Sequence, residues 1–600
     1  MWHKIKSNYK NIGYWLFVIG FLIITRCIGL DWGLPYPLHP DERNMAVALQ
    51  QLSCDFKNLK ECFHPHFFAY GQLPLYLGYI LVFIFKLIFK EINLFDFGQF
   101  TISFEEAILA LRLISAFMSV WTGILIIKII KIVTGKKPSF SSVLLLIFSP
   151  FAIQYGHFGT TEAMLIFLYV YLIYLGILFI KNKLAVINFI LKSGFILGFS
   201  LAIKISSATF IFLPVFLIIV RNNFVKKHRF LFFNFLIKLF DIFFLIFVSI
   251  IFFVIFSPHN LINWNDFLSA IQYESDVGLG RYVVFYTKQF DHTIPVVFQL
   301  IKVIPYATGG IGIIGFIALI INIIQIRKIG LISLIGLISL IGLFLPNALI
   351  FTKWTRFLAP FYTVLLISGI IFLERIKIIK VIKIITVIFL IIPGIFYFSI
   401  YLQPDIRFQV SDWIYENISE NSYILSETAN VVDLPIISPK SKIQNQKSNR
   451  INKEKITNYQ VISFDFYNLD TNPSLHEELI QHLEKADYII VPSRRIFANY
   501  TCYWPDGNEN IFDKIVYEKD RCDNLKKEFP ILNEYYKKLF NKELGFKLVK
   551  KFSVFPFNLD NKFLEFFNDE RAEETLTVFD HPTVRIYKKS QNSKFKSQKF

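Results

Sequence analysis

Leu38-His39-Pro40-Asp41-Glu42-Arg43 is the stretch that decides the fold, because it places two adjacent carboxylates beside a histidine directly after the first hydrophobic segment. That segment, at residues 12–30, has roughly 19 mostly apolar residues, about the number that crosses a bilayer as a helix. Charged side chains at a bilayer boundary are costly and are retained where they have a function. The sequence therefore predicts a membrane protein built around this polar stretch.

The composition of the whole chain excludes an ordinary soluble protein. Of 600 residues, 54% are hydrophobic and 17% are aromatic, and the mean hydropathy is +0.48. The net charge of +18 could indicate a nucleic-acid partner, but the lysines and arginines lie largely between hydrophobic runs and in the tail. That distribution is typical of membrane topology and of contact with anionic headgroups. We therefore expect the lipid bilayer as a partner and no nucleic acid.

Apolar blocks near the length of a membrane span fill the first 402 residues. The basic clusters between them, such as residues 128–137 and 221–229, all fall on the cytoplasmic side if the N terminus is cytoplasmic and block 72–90 does not cross. The positive-inside rule thus predicts about 11 spans, with block 72–90 as an outer juxtamembrane or re-entrant helix. The blocks lie at about residues 12–30, 72–90, 107–130, 139–156, 163–180, 186–203, 207–220, 231–256, 308–326, 329–351, 358–373 and 379–401.

This topology divides the chain into two predicted domains. Residues 1–402 form a transmembrane domain of a multi-pass cell-membrane protein, and residues 403–600 form an extracytoplasmic domain on the same side as Asp41. In the tail, charge rises, apolar runs shorten, and helix and strand signals alternate over ~200 residues, which predicts one small α/β domain. The predicted helices are 408–417, 473–483 and 531–540, the strands are 422–426, 488–492, 546–552 and 575–587, and a polar linker covers 438–458.

Four of the cysteines fall on the predicted outer side. Cys54 and Cys62 share the first outer loop, Cys502 and Cys522 lie in the tail, and Cys27 lies within the first span. An even number on the oxidising side permits two local disulfides, and free thiols are the alternative. Nothing resembles a zinc pattern. No cofactor is required, and a divalent cation at an acidic pair stays open because no ligand spacing demands it.

Asp41 and Glu42 are the first candidates for chemistry. On a helix, adjacent side chains diverge by about 100 degrees, so both carboxylates cannot point at one proton. One of them can act while the other orients it or binds a cation. The alternative, of equal weight on this evidence, is that Asp41 caps a helix that runs through Met45 and Leu49.

Three further ionisable residues are predicted at the same outer level. Glu162 follows two threonines where a span begins, so it suits either a functional acid or the positive end of a helix dipole. Lys204 lies among apolar residues at another outer turn, where a snorkelling lysine is the ordinary interpretation. Arg356 can grip a phosphate bidentately or anchor the chain in the interface beside Trp354.

Other charged and polar residues carry weaker signals. Tyr273 and Glu274, in the loop after residue 257, offer further polar groups on the outer side. Arg112, early in the second span, is expected to pair within the bundle. Acidic and basic residues thus converge at one membrane face, which suits a substrate with one part in lipid and a phosphorylated head in water.

The order of these residues resembles the GT-C superfamily of polyprenyl-phosphate-sugar-dependent glycosyltransferases. Within it, the resemblance is to the group of the protein O-mannosyltransferases and the lipid A aminoarabinose transferase, over about the first 400 residues. The matching pieces are His39-Pro40-Asp41-Glu42, the segment led by Pro74, Ala110-Leu111-Arg112-Leu113, Glu162, Gly198 to Lys204, Ser257-Pro258-His259 and Arg356-Phe357-Leu358-Ala359-Pro360. In the tail, Ala572-Glu573-Glu574-Thr575 and Asp580-His581-Pro582 resemble the extracytoplasmic appendage of this group.

The resemblance implies an inverting transfer from a polyprenyl-phosphate sugar to a hydroxyl of a protein, lipid or glycan acceptor. On this resemblance, Asp41 would be the general base, and Glu42 or Glu162 would position the acceptor or the base. Arg356 and Lys204 would stabilise the charge on the leaving phosphate.

His39, Tyr70, Tyr273 and Glu274 are further candidates for the pocket. The sequence also departs from the pattern of the group at two places. Glu162 stands where the group more often has aspartate, and no basic residue stands beside Pro74.

Two alternatives come from other classes of protein. A flippase or transporter of lipid-linked sugars also needs many spans and buried charge, but transporters favour inverted repeats and broken helices at mid-membrane. A sensor or scaffold would use the spans only to anchor the tail, for which about 11 spans are more than needed.

Overall fold

A computed structural model of the protein describes residues 2–55, 57–58, 60–225, 231–324, 331–377, 379–428, 434–436, 459–507, 511–554 and 569–590. The predicted polar linker at 438–458 lies outside these residues.

The first 402 residues are helical. Most of the helices begin and end at the turns that separate the apolar blocks. The helices are α1 (Trp2–Cys27), α2 (Pro40–Gln51), α3 (Leu73–Ile88), α4 (Phe104–Thr134), α5 (Phe140–Ile147), α6 (Pro150–His157), α7 (Glu162–Ile180), α8 (Val186–Leu201), α9 (Phe212–Val225), α10 (Leu231–Phe256), α11 (His259–Ile262), α12 (Trp264–Leu279), α13 (Ile304–Thr308), α14 (Gly310–Ile324), α15 (Leu331–Ser339), α16 (Leu345–Leu349), α17 (Ala359–Arg375) and α18 (Lys380–Ile400).

Each predicted apolar block contains a helix or a bent helix pair. Among the described residues, 6 helices are long and apolar enough to cross a membrane, and the bent pair of α5 and α6 makes up to 7. Shorter apolar helices of 10–17 residues fill the other blocks, α3 in block 72–90 among them. The chain is therefore a multi-pass membrane protein, while the number of about 11 crossings stays a prediction.

Burial separates central from peripheral helices. In the stretch Thr355–Arg375, 83% of the most apolar 18-residue window is buried within the protein. In Phe235–Phe256, the buried share of the corresponding window is only 17%. The first therefore lies at the centre of the bundle, and the second presents an apolar surface to lipid. Arg356 stands at the start of the central stretch.

The loop between α2 and α3 is held tightly against the bundle. The Gly71 N–H donates to the carbonyl of Ile203 at 2.9 Å, and the Leu73 N–H donates to that of Ala202 at 3.2 Å. A side chain at Gly71 would collide with the backbone of Ala202, so the close approach requires glycine. These contacts fix the loop beside Lys204.

The tail folds into a mixed sheet with helices, as predicted for a small α/β domain. The sheet order is β2-β1-β3-β5-β4, with β1 parallel to β2 and β3, and β5 antiparallel to β3 and β4. The elements are α19 (Ile406–Asn417), β1 (Tyr423–Glu427), β2 (Gln460–Phe464), α20 (Pro473–Lys485), β3 (Tyr488–Val491), α21 (Phe497–Tyr500), α22 (Ile511–Val516), α23 (Arg521–Glu528), α24 (Pro530–Phe540), β4 (Phe546–Phe552) and β5 (Val584–Lys589).

The strand predicted at 575–587 is wrong over its first half, because β5 begins only at Val584. The preceding residues, 569–583, form an irregular segment that we call the strap. The strap packs on the transmembrane domain. The side-chain amide of Gln154 donates to the Leu576 carbonyl at 2.7 Å, and the Tyr401 hydroxyl donates to the Asp580 carboxylate at 2.7 Å. Its polar groups are satisfied by side chains of the bundle and of the tail, Arg494 among them, instead of by a neighbouring strand.

Both local cysteine pairs form disulfides. Cys54 is bonded to Cys62, and Cys502 is bonded to Cys522, while Cys27 in α1 is a free thiol. The free-thiol alternative for the first four is therefore wrong in this structure.

Candidate active site

A cavity opens at one end of the bundle, beneath the strap. It contains about 310 Å³ of empty space, part of which is open to solvent, and its wall includes carboxylates, a guanidinium and aromatic rings from both domains. The lining residues are His39, Asp41, Gln154, Tyr155, Phe158, Thr160, Glu162, Thr355, Arg356, Thr575, Leu576 and Phe579.

Asp41 lies in the first turn of α2 and points at Arg356. Pro40 occupies the first helical position and His39 the N-cap, with no side-chain capping bond, so the interpretation of Asp41 as the cap is wrong. The carboxylate instead forms an ion pair with the guanidinium of Arg356. The Tyr70 hydroxyl hydrogen-bonds to Asp41 and lies 3.4 Å from the Arg356 guanidinium.

The charge balance around Asp41 keeps it ionised. Burial, the largest single effect, raises its pKa, but the positive charge of Arg356 together with His39, Lys204 and the hydrogen bond from Tyr70 outweighs it. The net result is a pKa below the ordinary value of 3.8. In the absence of substrate, Asp41 is therefore a carboxylate neutralised by Arg356.

Glu162 and Lys204 form the second ion pair of the site. Glu162 begins α7, and its carboxylate lies 3.5 Å from the ammonium of Lys204. Lys204 lies between α8 and a short 3₁₀ turn, with its ammonium 5.0 Å from the centre of the Tyr70 ring. Burial lowers the pKa of Lys204, and Glu162 opposes that shift. Its aliphatic stem does not snorkel to open water, because the head group stays inside the cluster.

Glu42 points away from the cavity. Its carboxylate forms a bidentate pair with Arg112, at 3.0 and 2.7 Å, and accepts the N–H of Gly159 at 2.5 Å. Arg112 also donates to the carbonyls of Leu30 and Trp32 at 2.8 and 2.7 Å. The pair thus joins α2, α4 and the turn before α7, and Arg112 pairs within the bundle as expected.

His39 lies between two aromatic rings at the wall of the cavity. Its ring centre is 4.7 Å from that of Phe158 and 4.3 Å from that of Phe579 in the strap. Burial lowers the pKa of His39, and its Nδ1 has no hydrogen-bond partner among the described residues. A neutral imidazole with a free polar atom is therefore available to a bound molecule.

Tyr273 and Glu274 lie on α12, and both side chains are exposed. The Tyr273 ring contacts that of Tyr282, with 5.9 Å between centres. Neither residue lines the cavity, although Glu274 is near enough to act on the charge of Arg356. They flank the site and do not form its wall.

Several lining residues were missed by the sequence reasoning. Tyr155 lies near the end of α6 and Thr160 lies in the turn before Glu162, and the sequence pointed to Glu162 but not to these two side chains. Thr575, Leu576 and Phe579 come from the strap, and only the tail motif around residues 572–582 could have pointed to them.

The acidic pair at residues 41 and 42 does not converge on one point that would suit a cation. Asp41 faces Arg356, and Glu42 faces Arg112. Among the described residues, two groups of histidines and carboxylates have metal-ligand spacing elsewhere, namely Glu61 with His64 and His66, and His292 with Glu518 and Asp520.

A multi-pass helical bundle that holds paired carboxylates and cations beside an α/β domain has the features of a GT-C membrane glycosyltransferase. Residues 99–262 match the family model of the dolichyl-phosphate-mannose-protein mannosyltransferases. The matched segment runs from α4 through α11 and contains Arg112, Glu162 and Lys204. The match confirms the predicted resemblance and indicates an enzyme of this class. Comparison with curated proteins gives no match.

Solved structures of membrane glycosyltransferases are similar at low identity. ArnT from Cupriavidus metallidurans in the apo state has 11% identity and a TM-score of 0.43, over 80% of this chain and 93% of that chain. The form bound to undecaprenyl phosphate has 9% identity and a TM-score of 0.42, over 80% and 92%. The oligosaccharyltransferase of Archaeoglobus fulgidus, tethered to an acceptor peptide, has 11% identity and a TM-score of 0.40, over 81% and 70%.

Proposed function

We propose that the protein transfers a sugar from a polyprenyl-phosphate-linked donor to an acceptor hydroxyl at the outer face of the membrane, with inversion at the anomeric carbon. The observation that carries the proposal is a cavity lined by Asp41, Arg356 and Glu162, in which Asp41 pairs with Arg356 and Glu162 pairs with Lys204 just behind the wall. Carboxylates serve proton transfer, and the two cations suit a phosphate. The family match over residues 99–262 supports a phosphate-linked lipid donor.

In this mechanism, the acceptor hydroxyl attacks the anomeric carbon while Asp41 takes its proton. The new bond joins the acceptor oxygen to the anomeric carbon, and the bond from that carbon to the phosphate oxygen breaks. Polyprenyl phosphate leaves with the electron pair, and Arg356 and Lys204 stabilise its negative charge. Attack opposite to the leaving group inverts the anomeric centre.

The two ion pairs explain how the resting site stays neutral and becomes active. Without donor, Arg356 neutralises Asp41 and lowers the pKa of its carboxyl group, which makes it a weak base. A donor phosphate competes with Asp41 for the guanidinium. When Arg356 turns toward the phosphate, Asp41 loses its partner, its pKa rises because the group is buried, and it becomes a better base. Donor binding thus prepares proton transfer.

The other predicted residues take supporting roles in this proposal. Glu162 holds the ammonium of Lys204 beside the cavity and can accept a hydrogen bond from the acceptor or sugar. Glu42 is a positioning residue, since its pair with Arg112 fixes the start of α2, from which Asp41 projects. His39 Nδ1 offers a polar contact to sugar or acceptor.

The orientation of the cavity and tail is also part of the proposal. The disulfide of Cys54 with Cys62 lies in the loop after α2, and that of Cys502 with Cys522 lies in the tail. Disulfides persist in oxidising compartments, so both segments fit the extracytoplasmic side. We therefore assign residues 1–402 to the transmembrane domain and 403–600 to an extracytoplasmic domain that covers the cavity.

The test is sugar transfer by purified Asp41→Asn protein from a polyprenyl-phosphate donor. The variant keeps the size and polarity of the side chain but cannot take the proton, so transfer is expected to fall by at least about 100-fold. Asp55→Asn, at an exposed aspartate of the same outer loop, is the matched control and should retain activity. Retained transfer by well-folded Asp41→Asn protein would remove the mechanism.

A second arm separates an enzyme from a transporter. The unaltered protein in detergent, with no membrane gradient and with an acceptor hydroxyl supplied, should convert the lipid-linked donor into glycosylated acceptor and free polyprenyl phosphate. A transporter of lipid-linked sugars would leave the donor chemically unchanged under these conditions.

A further inference from the structure

The outer loop that leads to Tyr70 carries a compact group of nitrogen and oxygen ligands that the mechanism does not use. Glu61, His64 and His66 lie within six residues and direct one ligand atom each toward a common point. His64 Nδ1 is 3.2 Å from His66 Nε2 and 3.4 Å from Glu61 Oε2, and His66 Nε2 is 3.9 Å from the same oxygen.

These separations match a metal site. Ligand atoms bound to one Zn²⁺ at about 2.0–2.2 Å in a tetrahedral arrangement lie about 3.3 Å apart. Two of the three observed distances have this value, and a rotation of the exposed Glu61 side chain would shorten the third. Two imidazoles and one carboxylate form a donor set typical of zinc sites that keep a fourth position open.

The local backbone favours the convergence of the two imidazoles. Phe63 has a φ of 56° and His66 a φ of 48°, which is the left-handed region that residues other than glycine rarely adopt. The strained turns bring side chains two positions apart to the same place. Backbone strain of this kind persists only where the surrounding structure holds it.

The surrounding structure does hold this loop. The Cys54–Cys62 disulfide closes it, and the Phe63 N–H donates to the Ser53 carbonyl at 2.7 Å. A ring nitrogen of His259, Nε2, lies 3.0 Å from the Cys62 carbonyl oxygen. A ligand set on a rigid frame loses little conformational freedom when it binds an ion.

His64 is suited to be the buried ligand of the group. Its side chain is 6% exposed and packs on the ring of His259, with 4.8 Å between ring centres. The side chains of Glu61 and His66 are 54% and 56% exposed, which leaves the fourth position open to water.

We propose that Glu61, His64 and His66 bind a divalent transition-metal ion, with Zn²⁺ as the preferred ion, and that this ion fixes the loop that presents Tyr70 to the Asp41–Arg356 pair. Only three residues separate His66 from Tyr70, and Gly71 and Leu73 are tied to the end of α8. The ion would therefore hold the segment at His66, while its other end is already held by the hydrogen bonds of Gly71 and Leu73.

The experiment measures Zn²⁺ binding by the full-length protein in detergent after treatment with a chelator, by competition with a chromophoric chelator. The unaltered protein should bind one Zn²⁺ tightly. His66→Ala and Glu61→Gln, both at exposed positions that should not disturb folding, are each expected to weaken binding by at least about tenfold. Bound Co²⁺ should show the intense absorption of a four-coordinate ion in the unaltered protein and lose it in His66→Ala.

The matched control is His292→Ala, which removes the histidine of the second described group, with Glu518 and Asp520. Tight binding that survives His292→Ala and is lost in His66→Ala supports the proposal. Absence of tight binding, binding unaffected by both loop substitutions, or loss confined to His292→Ala overturns it. Because the readout is metal affinity, the outcome is independent of sugar transfer.

Discussion

Glu573 of the strap accepts two hydrogen bonds from Thr355, one from its backbone N–H at 3.0 Å and one from its hydroxyl at 2.8 Å. The other carboxylate oxygen accepts the side-chain amide of Gln289 at 2.8 Å. Thr355 directly precedes Arg356, so the tail fixes the backbone that carries the cation of the site. The C-terminal domain is therefore part of the cavity wall.

Glu573→Ala should lower transfer while leaving the bundle intact. Without the carboxylate, the buried Thr355 N–H and hydroxyl lose their acceptor, and Arg356 is held less precisely. A displacement of about 1 Å at a catalytic group can cost about 100-fold in rate, so we expect a decrease of about 10- to 100-fold. The measurement is the initial rate with saturating donor. Glu477→Ala, at an exposed glutamate of α20, is the control, and equal rates in both variants would contradict the role of the strap.

Arg356→Ala should change the pH dependence of transfer as well as its rate. Arg356 lowers the pKa of Asp41, whereas burial raises it. Without the guanidinium, the pKa of Asp41 should rise, so the acid limb of kcat/KM should move to higher pH. The rate itself should fall by about 100-fold or more, because the leaving phosphate loses a cation.

Arg356→Lys separates these effects, since it keeps the charge but not the bidentate geometry. Its acid limb should stay close to that of the unaltered protein. An acid limb that is the same in Arg356→Ala and in the unaltered protein would show that Asp41 is not the group that titrates.

Glu42→Ala should act on stability first. The substitution leaves the guanidinium of Arg112, which is 2% exposed, without its carboxylate. Loss of one partner of a buried pair costs about 3–5 kcal/mol, so the apparent Tm in detergent should fall clearly. The double variant Glu42→Ala, Arg112→Ala should recover part of that loss. A stable Glu42→Ala protein that has lost transfer would instead place Glu42 in the chemistry.

The helical bundle could be predicted from the sequence, because the length of each hydrophobic run indicates a membrane helix directly. Each apolar block contains a helix or a bent helix pair, and the tail helices at 473–485 and 530–540 begin within one residue of their predicted positions. The sequence predicted that four ionisable residues lie at the same membrane face, because each belongs to a turn on the predicted outer side. They are Asp41, Glu162, Lys204 and Arg356. The structure places them in two ion pairs.

The strap could not be predicted in the same way. Residues 575–583 have a strand-like apolar pattern, but their partners are Gln154 and Tyr401, which are far away in sequence. The periodicity of apolar residues indicates which face of a segment is buried, but it does not indicate which domain covers that face. The side chains of Asp41 and Glu42 point in opposite directions because they pair with Arg356 and Arg112, respectively. No local sequence pattern indicates where these two arginines lie relative to each other.

Docking of the strap should weaken as pH rises from about 6.5 to about 10. His581 lies between Asp580 and Asp569, at 2.6 and 2.8 Å, and these carboxylates raise its pKa from 6.5 to about 10, against the opposing effect of burial. A raised pKa means that the folded state holds the proton more tightly, so the stabilisation is complete below pH 6.5 and disappears as pH approaches about 10. Protease sensitivity of the strap should therefore increase over that interval. His581→Gln should remove the dependence, and an unchanged pH profile in that variant would contradict it.

Cysteine labelling tests the predicted topology. Lys137 and Lys519 are both exposed, the first after α4 and the second before α23 in the tail. In a Cys27→Ser background, which lacks the free thiol, Lys519→Cys should react with a membrane-impermeant reagent added to intact cells, and Lys137→Cys should react only after permeabilisation. The difference follows from block 72–90 staying on the outer face. Labelling of Lys137→Cys from outside would mean that α3 crosses the membrane. It would then contradict the proposal that residues 99–262, which match the family model, contribute to a cavity on the outer face.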